Sequence, residues 1–132
     1  MEDVVELLRE HNEPVPVPLE LPDEDLLIEI EEALYVALPD DLRDFLLLVS
    51  DVVCGHLEPV TVADPQSHTY LPEMAAVAWS IGLPRKYLPI CEYDGGYYCI
   101  RQDGAVLLWN ESIAEERWDT IWHWARDVWL PD

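Results

Sequence analysis

Three cysteines and one histidine are the residues whose chemistry has to be decided first. Cys54, His56, Cys91 and Cys99 make up the donor set of a Cys₃His zinc site. A hairpin centred on Gly95 would set Cys91 opposite Cys99, with Cβ atoms ~4.5–5.5 Å apart. Cys54-x-His56 lacks the usual two-residue spacer, however, and no second ligand motif recurs. The expectation is buried free thiols, no metal and no cofactor, since cysteine is among the most buried residue types. Carboxylate pairs are the next candidates: Asp23/Asp25, Glu31/Glu32, Asp40/Asp41 and Glu115/Glu116. Two such groups can run glycoside hydrolysis. With 28 Asp and Glu in 132 residues, pairs arise by chance, and a solvated face is the better reading. His123, between Trp122 and Trp124, has the chemistry of a general base, but its spacing puts it at the rim of an apolar stripe. The sequence holds no serine or cysteine in a nucleophile elbow and no Asp-x-Asp-x-Asp-Gly calcium loop. The sequence therefore reads as non-enzymatic.

Charge points to partners. The formal net charge is −21, and Lys86 is the only lysine. Nucleic acid and anionic membrane both require Lys and Arg to replace counterions, so neither is expected as a ligand. A basic protein partner suits this charge, although solubility alone would also account for it. No apolar run approaches the ~18 residues of a membrane span. The start, MEDVVELLREHNEP, has neither a basic nor an apolar leader region. With an odd number of cysteines, the expectation is a cytoplasmic protein with reduced thiols.

The elements that would position any site follow from periodicity. Met1 to Asn12 reads as a short amphipathic helix, and EPVPVPLELP after it as an extended, Pro-rich spacer. Residues 1–22 are thus set apart as an extension, and 23–132 as one α+β domain. A helix should start at Asp23 and stop at Leu38-Pro39. A second should run from Asp40 or Asp41, through Phe45 and Val53, to Gly55. His56 to Thr61 reads as a strand weakened by Pro59. A third helix is expected over Pro72 to Ile81. Asp-Gly at Asp94-Gly95 and at Asp103-Gly104 separates three apolar runs, which predicts a three-stranded meander with two-residue type I′ turns. Ser112-x-x-Glu115 reads as a capping box that opens a terminal helix. Trp118, Ile121, Trp122, Ala125, Val128 and Trp129 would form its buried stripe, with Trp124 off it. Most aromatics fall at core spacing; Trp124, Tyr93 and Tyr97 are the exceptions.

Two strings carry a family look. IEIEEALYVALPDDLRDFLLLVSDVVCG (Ile28 to Gly55) holds Leu38-Pro39, Phe45-Leu46 and Gly55; YLPICEYDGGYYCIRQDGAVLLW (Tyr87 to Trp109) holds Leu88-Pro89-Ile90, Gly95-Gly96, Tyr97-Tyr98-Cys99-Ile100, Gly104, Val106 and Trp109. Over Asp23 to Trp129 the chain resembles the SUKH superfamily, named partly for Smi/Knr-type cell-wall regulators. Tyr97 and Arg101 stand where that superfamily often has Asp. The resemblance implies an α+β fold, with helices against a twisted, mainly antiparallel sheet of about four to six strands. It also implies an immunity protein that neutralises a toxin of a polymorphic or contact-dependent system, often a nuclease. A nuclease has a basic cleft, which an acidic inhibitor would fit. An intracellular regulatory or scaffold adaptor is the other binding role, and a carboxylate-based hydrolase the alternative from a different class. The expected contact residues are Glu58, Asp64, Glu92, Tyr93, Asp94 and Asp103, carboxylates and an aromatic on loops and strand ends.

Overall fold

Asp94 and Gly95 turn the chain as a type I′ hairpin requires, with φ of 47° and 81°. They join β1 (Leu88–Tyr93) to β2 (Gly96–Ile100), with Tyr93 facing Gly96 across the turn. The second glycine has a different role. A Cβ on Gly96 would lie 2.2 Å from the Trp109 carbonyl oxygen, so the side chain is absent where β3 (Val106–Asn110) passes. The next turn departs from the two-residue expectation. Gly104 N–H donates to Arg101 O at 3.0 Å and Arg101 N–H to Ala105 O at 2.9 Å, and Gly104 has φ 95°. That is a three-residue loop closed by a left-handed glycine, the next commonest hairpin. The computed structural model describes residues 1–131.

β1 is irregular at Pro89. The register shifts there, so Pro89 faces Cys99 and Cys91 faces Tyr98. Cys91 and Cys99 are therefore not cross-strand partners, contrary to the simple hairpin register. Pro89 has no N–H for the ladder, which favours a bulge. The carbonyl of Ile90 accepts instead from Val60 N–H at 2.7 Å, and Pro59 bridges Cys91. His56 to Thr61 is thus an irregular segment carrying isolated bridges rather than the expected strand.

The capping-box reading is overturned. Ser112–Trp118 is β4, antiparallel to β3, in a four-stranded sheet of order β1-β2-β3-β4. Glu111, at φ 70°, reverses the chain so that Asn110 faces Ser112. β3 is apolar from Val106 to Trp109 and presents a free backbone edge. Pairing that edge outweighs local helix propensity. β4 in turn exposes Glu115, Glu116 and Arg117, the charged residues that guard an outer strand.

Helix resumes only at Thr120, whose hydroxyl accepts from His123 N–H at 3.2 Å. α5 (Ile121–Trp124) runs into a π-helical turn, Ala125–Trp129. The later start and the wider turn rotate the stripe. Trp118 falls on β4, half-buried, whereas Trp124 is fully buried. Trp124 lies 5.4 Å from the Tyr98 ring and 6.5 Å from that of Trp129.

Four helices complete the α+β fold. α1 (Glu2–Glu10) buries Val4 and Leu8, and Arg9 donates to the Leu48 carbonyl at 2.6 Å. α2 (Glu24–Leu34) is capped by the Asp23 carboxylate, which accepts from Leu26 N–H at 2.9 Å. It stops at a left-handed Tyr35, before the expected Leu38-Pro39 boundary. α3 (Asp40–Val49) places Phe45 5.7 Å from Trp122 and 5.6 Å from Trp129. It ends at Ser50, so Val52 and Cys54 are buried from a loop rather than a helix. α4 (Leu71–Ser80) has Pro72 in its first turn, where the missing N–H costs nothing.

Candidate functional site

The candidate site lies at the end of β1. Its bulge leaves residues 88–91 buried and turns Glu92 and Tyr93 out to solvent, followed at once by Asp94 in the turn. The irregular segment bridged to Cys91 brings Glu58 alongside. Glu58, Glu92, Tyr93 and Asp94 line one groove with His56, His68, Thr69 and Met74, enclosing about 320 Å³. Four of the six expected contact residues are thereby gathered from two separate stretches of chain.

The other two are elsewhere, with visible reasons. Asp64 is spent on its own loop: its carboxylate accepts from Gln66 N–H at 2.9 Å and its carbonyl from Ser67 N–H at 3.1 Å. That turn helps to present His68, which hydrogen-bonds the Glu58 carboxylate. Asp103 lies at the opposite end of β2, beside Asp40 and Asp41. Arg101 donates to it at 2.7 and 3.1 Å, and this hydrogen-bonded pairing holds its carboxyl below the usual carboxylate range. Asp103 is therefore paired within the molecule, with its side chain 60% exposed.

His68 and Thr69 carried no signal in the sequence. His68 reaches Glu58 only because the 64–69 loop folds back on the 58–61 segment. There the Thr61 and Thr69 hydroxyls meet at 2.7 Å, as do those of Ser67 and Thr69. Next to the groove lies a mostly apolar cavity of about 280 Å³, which shares Glu58, His68 and Thr69 with it. Val15 and Val17 of the Pro-rich segment wall one side, and Phe45, Val52, Leu57 and Trp129 the others. Among the described residues the Trp129 indole N–H is buried without a partner. Side by side, the two hollows offer carboxylates for a cation and an apolar slot for a neighbouring side chain.

The cysteines lie apart from this chemistry. All three are free and buried. Burial pushes the Cys91 and Cys99 thiols up to about 12, and raises Cys54 as well. Among the described residues no group of three or more His, Cys, Asp or Glu is placed to share a metal ion. His123 is exposed and tied to its own cap, with Nδ1 2.7 Å from the Thr120 hydroxyl. No helix is long and apolar enough to cross a membrane among the described residues.

Comparison with known proteins bears on both fold and family. A crystal structure of a protein from Pseudomonas syringae pv. tomato is 63% identical to this chain, with a TM-score of 0.97. The match covers 98% of each chain, and the α+β architecture is common to both. No curated protein matches. The family model described as SMI1-KNR4 cell-wall matches residues 1–130, including the helix and Pro-rich segment before Asp23. The chain thus belongs to the SMI1-KNR4 cell-wall family SUKH_5, within the superfamily its Leu-Pro and Gly-Gly strings resemble.

Proposed function

We propose that this protein is a non-enzymatic binding protein that masks a basic surface on a toxin domain, in the manner of an immunity protein. The observation that carries the reading is the convergence of Glu58, Glu92 and Asp94 with Tyr93 on one groove, in a chain of net charge −21. An aromatic among carboxylates is suited to grip a lysine or arginine together with its apolar neighbours. The adjoining cavity takes one apolar side chain from the same partner. A nuclease-type domain, whose phosphate cleft is basic, has the complementary chemistry.

The test is a binding titration against a toxin domain encoded next to this protein in its genome. Glu58, Glu92 and Asp94 are replaced together by Lys, and in a control protein Glu6, Asp25 and Glu29 are. These control positions are exposed, and none of them lines the groove. The groove variant should bind at least about tenfold more weakly, or ~1.4 kcal/mol. The control should lose far less, and both should keep the parent circular dichroism spectrum. Equal losses would mean that the groove is not the contact surface.

A further inference from the structure

A second groove of different chemistry lies between α2 and α4. Of the seven Lys and Arg, five are ion-paired within the molecule: Arg9 with Asp51, Arg43 with Glu24 and Glu31, Arg101 with Asp103, Arg117 with Asp119 and Arg126 with Asp127. Among the described residues the two without an acidic partner are neighbours, Arg85 and Lys86. In a chain with 28 carboxylates, two adjacent cations left unpaired stand out. Each lies over an aromatic ring instead, Arg85 4.3 Å from the Trp79 centroid and Lys86 5.3 Å from that of Tyr87. The Trp79 indole is fixed in turn by donating to the Tyr87 carbonyl at 2.9 Å.

Arg85 and Trp79 form one wall of a groove of about 480 Å³ between the end of α2 and α4. Its floor is small and apolar: Ala33, Pro72 and Ala76. Tyr35 forms the other wall, and two facts about it are unusual together. It is 91% exposed, and it caps α2 at φ 57°, ψ 30°. Glycine or asparagine is the stable choice at a left-handed cap. The folded monomer therefore bears backbone strain to hold a large aromatic side chain in water, and gains no burial from it. Val77 on α4 and Ile81 just past its end add exposed apolar surface, at 51% and 56%. Tyr, Trp and Arg around a concave apolar floor are the residues that dominate binding energy at protein interfaces.

We propose that this groove is a second docking site, and that it takes an acidic segment of a partner protein. An apolar side chain of that segment would lie on Ala33 and Ala76 between Tyr35 and Trp79. A flanking carboxylate would pair with Arg85 and Lys86. Complementary charge selects this occupant, because among the described residues these are the two Lys/Arg side chains without an acidic partner. The site is separate from the acidic groove and opposite to it in preference.

The experiment selects random short peptides displayed on phage against the full chain, then titrates a selected peptide by fluorescence anisotropy. Peptides with Asp or Glu flanking Leu, Phe or Trp should be enriched. Tyr35→Gly and Arg85→Glu should each weaken binding at least about tenfold. Tyr35→Gly should keep or raise the thermal midpoint, which separates lost contact from lost folding. Glu58→Lys, Glu92→Lys and Asp94→Lys together should change this binding far less than Arg85→Glu does, so the two sites can fail independently. Absence of enrichment, enrichment of basic peptides only, or binding insensitive to both single substitutions would overturn the proposal. So would self-association of the parent that Tyr35→Gly abolishes, since a second copy would then be what covers the groove.

Discussion

Trp124 shows how much one side chain depends on where its helix starts. It is fully buried between Tyr98 and Trp129, although helical spacing counted from Trp118 puts it on the solvent side. Trp124→Ala should cost ~3–5 kcal/mol, as for other large buried aromatics. Trp118→Ala should cost less, because that half-buried ring adds mainly an edge contact to Tyr98 at 5.7 Å. Denaturant midpoints of the two variants check the order, and the reverse order would mean that the helix starts at the capping box after all. Asp103 allows a test by pH. Its carboxyl is held below the ordinary range chiefly by the Arg101 hydrogen bond. Its stabilising contribution is therefore present above the ordinary carboxylate pKa and is lost as pH falls through the depressed one. Arg101→Gln should move the Asp103 titration upward by NMR. The stability difference from the parent should be seen at neutral pH and vanish in strong acid.

Competition between local and long-range pairing decides which elements form. Ser112 and Glu115 have the spacing of a capping box, yet Ser112–Trp118 pairs with β3. The cap that operates is Thr120, which accepts from His123 N–H. Thr120→Ala should therefore destabilise the protein by about 1 kcal/mol, the usual effect of losing a cap. Ser112→Ala, at an exposed edge position, should stay within about 0.5 kcal/mol of the parent. Thermal or chemical unfolding of both variants distinguishes the two caps. The β1 bulge is the second such case. Pro89 interrupts the ladder, and the carbonyl freed there ties in the segment that carries Glu58.

Across the whole molecule, the net charge of −21 acts twice, with opposite signs. Like charges repel one another in the free protein, so added salt should raise its thermal midpoint. The same charges steer a basic partner, so added salt should slow association as screening shortens to ~8 Å at physiological ionic strength. Dissociation should change less, because rim charges act mainly on encounter. Stopped-flow association and calorimetry over one salt series would measure both effects. A salt-independent on-rate would remove charge steering from the account of the groove.

Features whose cause lies within a few residues are legible in the sequence. Asp94-Gly95 dictates a type I′ turn because few other pairs accept positive φ twice. Asp23 after Pro22 starts α2, the apolar period of α3 buries Phe45 and Leu46, and the Leu-Pro and Gly-Gly strings are those of the family. Tertiary structure decided what depends on partners distant in the chain. It made Ser112–Trp118 a strand by offering the open edge of β3, turned Trp124 inward through the π turn, and placed His68 against Glu58. It also left Arg85 and Lys86 as the two Lys/Arg side chains without an acidic partner among the described residues. Turn chemistry and periodicity are written residue by residue; edge pairing and ion pairing are settled only when the whole chain competes for the same surfaces.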